Sequence, residues 1–169
     1  MRVLFKVIDR LLERVRHDLA RPHEFAAERV GFFICRTAEL APEGVVVLAY
    51  DYKSVEDEDY VDDASVGAMM GPNAIRKALE FALNNKAGMF HVHMHEHAGR
   101  PRFSRVDFRE SAKFVPDFRN VRPEMPHGAL VASKDSLYGM CWYSAVSAPI
   151  EIDDFVVVGS PMVVVRIGP

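Results

Sequence analysis

Four of the chain's seven histidines fall within one heptapeptide, His91-Val92-His93-Met94-His95-Glu96-His97. The apolar stretch 87–90 runs straight into it, and together they read as a strand over 87–93. On a strand, residues i and i+2 share a face and lie about 6.6 Å apart along the backbone. His91 and His93 therefore point the same way and can both reach one ion. Neutral imidazole is a good zinc ligand, with Zn–N of about 2.0–2.1 Å. The alternative reading of the peptide is a solvated histidine-rich loop.

A catalytic zinc usually has three protein ligands and one open position for water. The third should come from a nearby segment, and Asp107 is the obvious carboxylate, in Ser104-Arg105-Val106-Asp107, which starts eleven residues after His93. The same four residues read as a capping box at a helix start. The two readings are compatible, because a capping Ser104 aims Asp107 from the first helical turn. Such a site also needs a general base, since the attacking water must lose a proton.

The rest of the composition narrows the class. A length of 169 residues fits one domain. With 49% hydrophobic and 27% charged residues, the chain is neither disordered nor collagen-like. A net charge of −3 gives no basic footprint for nucleic acid. No run reaches about 18 apolar residues, so no membrane partner is expected. Cys35 and Cys141 form no C-x-x-C pair, and reduced thiols in a cytoplasmic protein are expected. The opening stretch is interrupted by Lys6, Asp9 and Arg10 and does not read as a signal peptide.

Along the chain, 3–8 reads as a strand or a first helical turn. A helix over 9–20 carries Leu11, Leu12, Val15 and Leu19 at helical spacing and stops at Arg21-Pro22. A short helical piece is expected near 24–28. Strands are expected over 30–35 and 45–50, then a helix over 73–84 with Ile75, Leu79 and Leu83 on one stripe. The acidic stretch 56–63 reads as a solvated loop, or as a surface for a basic partner. A loop over 94–103 and a helix over 104–114 follow. Strands over 128–133, 137–144, 150–158 and 162–167 close the chain, with Trp142 and Tyr143 in the core. The order predicts one α+β domain over 1–169.

Phe90-His91-Val92-His93 followed by Ser104-Arg105-Val106-Asp107 resembles the H-x-H … S-x-x-D signature of the JAMM metalloproteases, the catalytic MPN+ branch of the MPN domain family. That family carries a glutamate upstream of a Gly-containing apolar strand, and Glu28-Arg29-Val30-Gly31-Phe32-Phe33-Ile34 resembles this segment. The order of elements is similar too. The resemblance covers roughly 28–114 clearly and the later strands loosely.

The resemblance implies an MPN (cytidine-deaminase-like) fold, a central mixed β-sheet flanked by helices. It implies a Zn2+ cofactor held by His91, His93 and Asp107. Glu28 would be the general base, passing its proton to the leaving amine, and Ser104 would stabilise the oxyanion. The family's commonest pattern has seven residues between the second histidine and the serine, whereas this chain has ten after His93 or eight after His95. The ligand pair is therefore His91/His93 or His93/His95. The first is preferred, because the apolar strand leads directly into His91 and a loop absorbs Gly99-Arg100-Pro101 easily. His95 and His97 would then line the rim.

The implied activity is hydrolysis of amide or isopeptide bonds at the C-terminal tail of a ubiquitin-like modifier. The setting would be a bacterial ubiquitin-like conjugation or defence pathway, with its activating and conjugating enzymes as partners. Release of a sulfur-carrier protein or a small adduct is one alternative, and a non-catalytic MPN scaffold is another. Other zinc hydrolases fit less well. A barrel of the amidohydrolase kind needs about 250 residues, Gly99 stands where a gluzincin needs its second histidine, and the P-C-x-x-C of a cytidine deaminase is absent.

Overall fold

The computed structural model describes residues 1–143 and 148–166. Nine strands and three α-helices follow in the order β1 (Arg2–Ile8), α1 (Asp9–Leu19), β2 (Val30–Leu40), β3 (Gly44–Ser54), α2 (Pro72–Asn85), β4 (Gly88–Met94), α3 (Arg105–Val121), β5 (His127–Ala132), β6 (Leu137–Trp142), β7 (Ile150–Glu151), β8 (Asp154–Val158) and β9 (Val163–Arg166). All nine strands join one mixed sheet in the order β7-β6-β5-β4-β2-β3-β1-β8-β9. The architecture is α+β.

Alternation along the strands sorts the apolar side chains onto two faces. Val3, Phe5 and Val7 of β1, Phe33 and Cys35 of β2, and Phe90 and Val92 of β4 join Leu11, Leu12, Val15 and Leu19 of α1 in one core. Val30, Phe32 and Ile34 of β2 and Met89 of β4 turn the other way. They pack with Ala74, Ala78 and Ala82 of α2 and Phe114, Val115 and Phe118 of α3. The central strands β4 and β5 are buried almost throughout because helices cover both faces.

The sheet curls around the α1 core. The expected strand over 150–158 is broken at Ile152-Asp153, and the break has a physical reason. The Ile152 N–H donates to the Gly139 carbonyl on β6 at 3.0 Å, while the Asp153 N–H donates to the Val3 carbonyl on β1 at 3.0 Å. The Asp153 carboxylate accepts from the Val3 N–H at 2.7 Å. Two residues thus carry the chain from one flank of the sheet to the other, and Ile152 is fully buried between them.

Other expectations shift in detail. The opening segment is a strand, parallel to β3 and β8. No helix forms over 24–28, and that stretch is irregular. Strands β2 and β3 extend to Leu40 and Ser54 as one long antiparallel pair. The third helix runs seven residues past 114, through Pro116, to Val121. The proline costs a backbone hydrogen bond, but Phe114, Val115 and Phe118 continue the buried stripe and carry the helix across it. Residues 144 and 167, the expected ends of two strands, lie outside the described residues. Trp142 is buried and Tyr143 packs partly buried against the core.

The acidic stretch is not simply solvated. Asp59 is buried and pairs with Lys77. Asp57 pairs with the buried Arg29 guanidinium at 2.6 Å. Among the described residues, no helix is long and apolar enough to cross a membrane.

Phe5 is fully buried, with its ring centroid 5.7 Å from Phe33, 5.3 Å from Phe90 and 5.6 Å from Phe155. Phe5→Ala empties the middle of the curl and is expected to cost about 3–5 kcal/mol, read as a lower midpoint in urea unfolding. A loss below about 1 kcal/mol would mean that the core closes over the gap.

Candidate metal centre

The site is built where β4 ends and α3 begins. On β4, Met89, His91 and His93 share the face that α2 and α3 cover. The ladder to β5 does not stop with β4: the His95 N–H donates to the Ala132 carbonyl at 2.9 Å. Alternation therefore persists for one more step, and His95 emerges on the same face as His93. The Lys134 N–H donates to the His97 carbonyl at 3.1 Å, the Gly99 N–H to Asp135 at 2.7 Å and the Ser133 hydroxyl to the Gly99 carbonyl at 2.7 Å. These bonds tie the loop after β4 to the β5–β6 turn.

Strand register delivers the first carboxylate. Val30 of β2 lies opposite His93 in an antiparallel pair. Continued by two residues, that register puts Glu28 beside His95. Arg29 fixes this entry to β2. Its guanidinium donates to the Pro22 carbonyl at 2.9 Å and to the Arg21 carbonyl at 3.1 Å as well as to Asp57. The Glu28 N–H donates to the Gly67 carbonyl at 3.0 Å, and a Cβ on Gly67 would lie 3.0 Å from the Glu28 carboxyl carbon. Gly31, the glycine of the E-x-x-G segment, lies under the Tyr52 phenol, which any side chain there would strike.

The helix cap delivers the second carboxylate. Ser104 is the N-cap of α3, and its hydroxyl accepts from the Asp107 N–H at 3.1 Å. In return, Asp107 Oδ2 accepts from the Ser104 N–H at 2.7 Å. The predicted capping box is thus present. The same oxygen lies 3.5 Å from His93 Nε2 and 4.0 Å from His95 Nε2.

One ligand atom each from Glu28, His93 and His95 falls within 4.8 Å of the others. Two donors of one tetrahedral zinc are about 3.4 Å apart when each bond is about 2.0–2.1 Å. The His93–Asp107 separation is close to that edge and too long for a strong hydrogen bond. His93 Nε2 is buried and has no hydrogen-bond partner. Buried polar atoms are rarely left so, and a cation between His93, His95 and the carboxylates would satisfy it. The residues present fit a zinc ion.

Electrostatics agree with this fit. Burial raises the Asp107 carboxyl's pKa, but His93 and the Ser104 cap outweigh it and hold the group below its ordinary value. Burial, with His93 second, lowers the pKa of His95. Both shifts favour the forms that ligate, an ionised carboxylate and a neutral imidazole.

His91 is placed differently from the preferred expectation. It lies one pleat deeper, 8% exposed, with its ring 5.6 Å from Phe32 and 5.2 Å from Phe114 in edge contacts. Its ring centroid is 6.0 Å from His93, whereas His93 and His95 are 5.1 Å apart. Burial lowers its pKa to about 3. His93 and His95 lie nearest the carboxylates, the other of the two registers left open by the spacing, while the buried His91 Nδ1, like His93 Nε2, has no hydrogen-bond partner. A strand ending at His93 leaves His95 in the loop, and the extra ladder bond at His95 carries the alternation past that end. His97 is exposed, with Nδ1 against the Ala98 carbonyl. Arg29 and Gly67, which hold Glu28, were not singled out in the sequence. Arg29 adjoins Glu28 in sequence, but its carbonyl and Asp57 partners come from segments that only the fold brings together.

No protein-family model matches the chain, and no curated protein matches it.

Zinc content separates the two registers. After loading and exhaustive dialysis, the unaltered chain and His91→Phe are expected to retain one zinc per chain, and His95→Ala less than about a tenth of that. Zinc lost from His91→Phe and kept by His95→Ala would restore the His91/His93 pair.

Proposed function

We propose that this chain is a zinc-dependent metallopeptidase of the JAMM/MPN+ type with an MPN fold. Its reaction is hydrolysis of an amide or isopeptide bond at the C-terminal tail of a ubiquitin-like modifier. The observation that carries the proposal is the convergence of His93, His95, Asp107 and Glu28 around a buried imidazole nitrogen that has no hydrogen-bond partner. The nine-stranded mixed sheet with helices on both faces is compatible with this fold.

His93, His95 and Asp107 would hold the ion, and Glu28 stands beside them. When bound, zinc polarises a carbonyl and lowers the pKa of a water towards about 7. Glu28 then has the task of a base. Its half-buried carboxylate takes the proton of the attacking water and returns it to the leaving amine. The Ser104 hydroxyl accepts from the Asp107 N–H, so its own proton stays available to donate to the oxyanion. Ser104 is exposed at the mouth of the site, where a substrate carbonyl would arrive. Asp107 has two structural duties, closing the helix cap with one oxygen and presenting that oxygen to both imidazoles.

A non-catalytic scaffold has no need of this ligand set. A modifier tail as substrate, and conjugating enzymes as partners, follow from the resemblance of the three motifs.

Glu28→Gln is expected to keep its zinc and to lose about 10²–10⁴-fold in turnover of a ubiquitin-like fusion. Retained turnover would remove Glu28 from the role of base. Gly67→Val presses on the Glu28 carboxyl and is expected to lower kcat at least tenfold with zinc content unchanged. An unaltered kcat would show that Glu28 does not depend on Gly67 for its position.

A further inference from the structure

The cavity at the centre is lined by more than the groups proposed for the metal and the base. A cavity of about 390 Å³ runs from Glu28, His95 and Ser104 inward between β2, β4, α2 and α3. Its apolar walls are Val30, Met70, Ile75, Val106 and Phe114, and His91 also lines it. Phe114 stands two helical turns beyond Asp107 on α3, and its ring meets His91 5.2 Å away. The depth thus follows the antiparallel course of α3 over β4.

The chemistry of these walls selects among occupants. A pocket of this size with mainly apolar lining is a side-chain or small-ligand site. Glu110 and Lys113, at the same cavity, pair with each other at 2.8 Å, and the cavity's other carboxylates, Glu28 and Asp107, stand at the metal end. Val30 lies opposite His93 in the β2–β4 register, so the apolar wall begins directly beside a metal ligand.

The geometry points to a specificity pocket. The residue that supplies the reacting carbonyl carries an aliphatic side chain of about leucine's size, seated among Val30, Met70, Ile75 and Phe114, instead of being glycine. This inference rests on the proposed metallopeptidase reading and adds to it the chemical class of the cleaved residue. One methylene in an apolar pocket is worth about 10–200-fold in discrimination.

Binding tests the pocket without relying on turnover. Zinc content is measured first. The zinc-loaded chain is then titrated calorimetrically with N-acetyl-leucine hydroxamate and N-acetyl-glycine hydroxamate. The leucine compound is expected to bind at least tenfold more tightly. Ile75→Trp and Met70→Trp fill the pocket from two different segments, and each is expected to bring the leucine compound to within about threefold of the glycine compound. Leu83→Ser, at an exposed position of α2, is expected to keep the tenfold difference. Equal affinities in the unaltered chain, or a difference that survives both tryptophans, would overturn the pocket and leave the metal site standing. A chain that takes up no zinc would overturn the metal site and the pocket with it.

Discussion

The approach of the Asp107 carboxylate to the His93 imidazole organises the candidate centre. Neither group would rest there for the sake of the pair alone. The contact is 3.5 Å, and the imidazole nitrogen is buried without another partner. What holds them is backbone structure on either side. The Ser104 cap fixes the first turn of α3 and hence the direction of Asp107. The β2 and β5 ladders fix β4 on both flanks and hence the direction of His93. Such a site is preorganised in the sense that its donors are oriented by hydrogen bonds that no ligand needs to form.

The same economy runs through the second carboxylate. Glu28 precedes β2, the strand next to β4, so antiparallel register alone brings it to the ligand end of the sheet. Arg29 then converts an irregular segment into a fixed one by gathering two carbonyls and Asp57 around a buried guanidinium. Burying that cation is costly unless it is fully paired, and the acidic stretch supplies the pairing. Asp57 therefore helps to support the entry to the site. The curl of the sheet around α1 leaves the opposite face, under α2 and α3, for the cavity and its chemistry.

Much of this arrangement was legible in the residues themselves. The α1 stripe, the strand running into the histidines, and the Ser104–Asp107 capping box are local patterns, and each depends on contacts a few residues apart. His93, His95 and Asp107 lay in those patterns or beside them, whereas Glu28 stood out only through the resemblance of 28–34 to the family's segment. Long-range pairings were not legible. The bond from His95 to Ala132, which carries the histidine alternation one step past the strand, joins residues far apart in sequence. So do the bonds at Ile152 and Asp153 that split one expected strand into two. Pro116 gave the usual signal for a helix end, and the apolar stripe beyond it overrode that signal because burial of Phe118 depends on what α3 packs against. The absent helix near 24–28 has the same origin, since Arg29 and its partners hold that stretch in an irregular path.

Anomalous X-ray diffraction at the zinc edge, from crystals of the zinc-loaded chain, tests the centre most directly. One strong peak is expected at about 2.0–2.2 Å from a nitrogen each of His93 and His95 and an oxygen of Asp107, with the Glu28 carboxylate beside it. A peak held by His91 or His97, or no ordered peak near the end of β4, would contradict it.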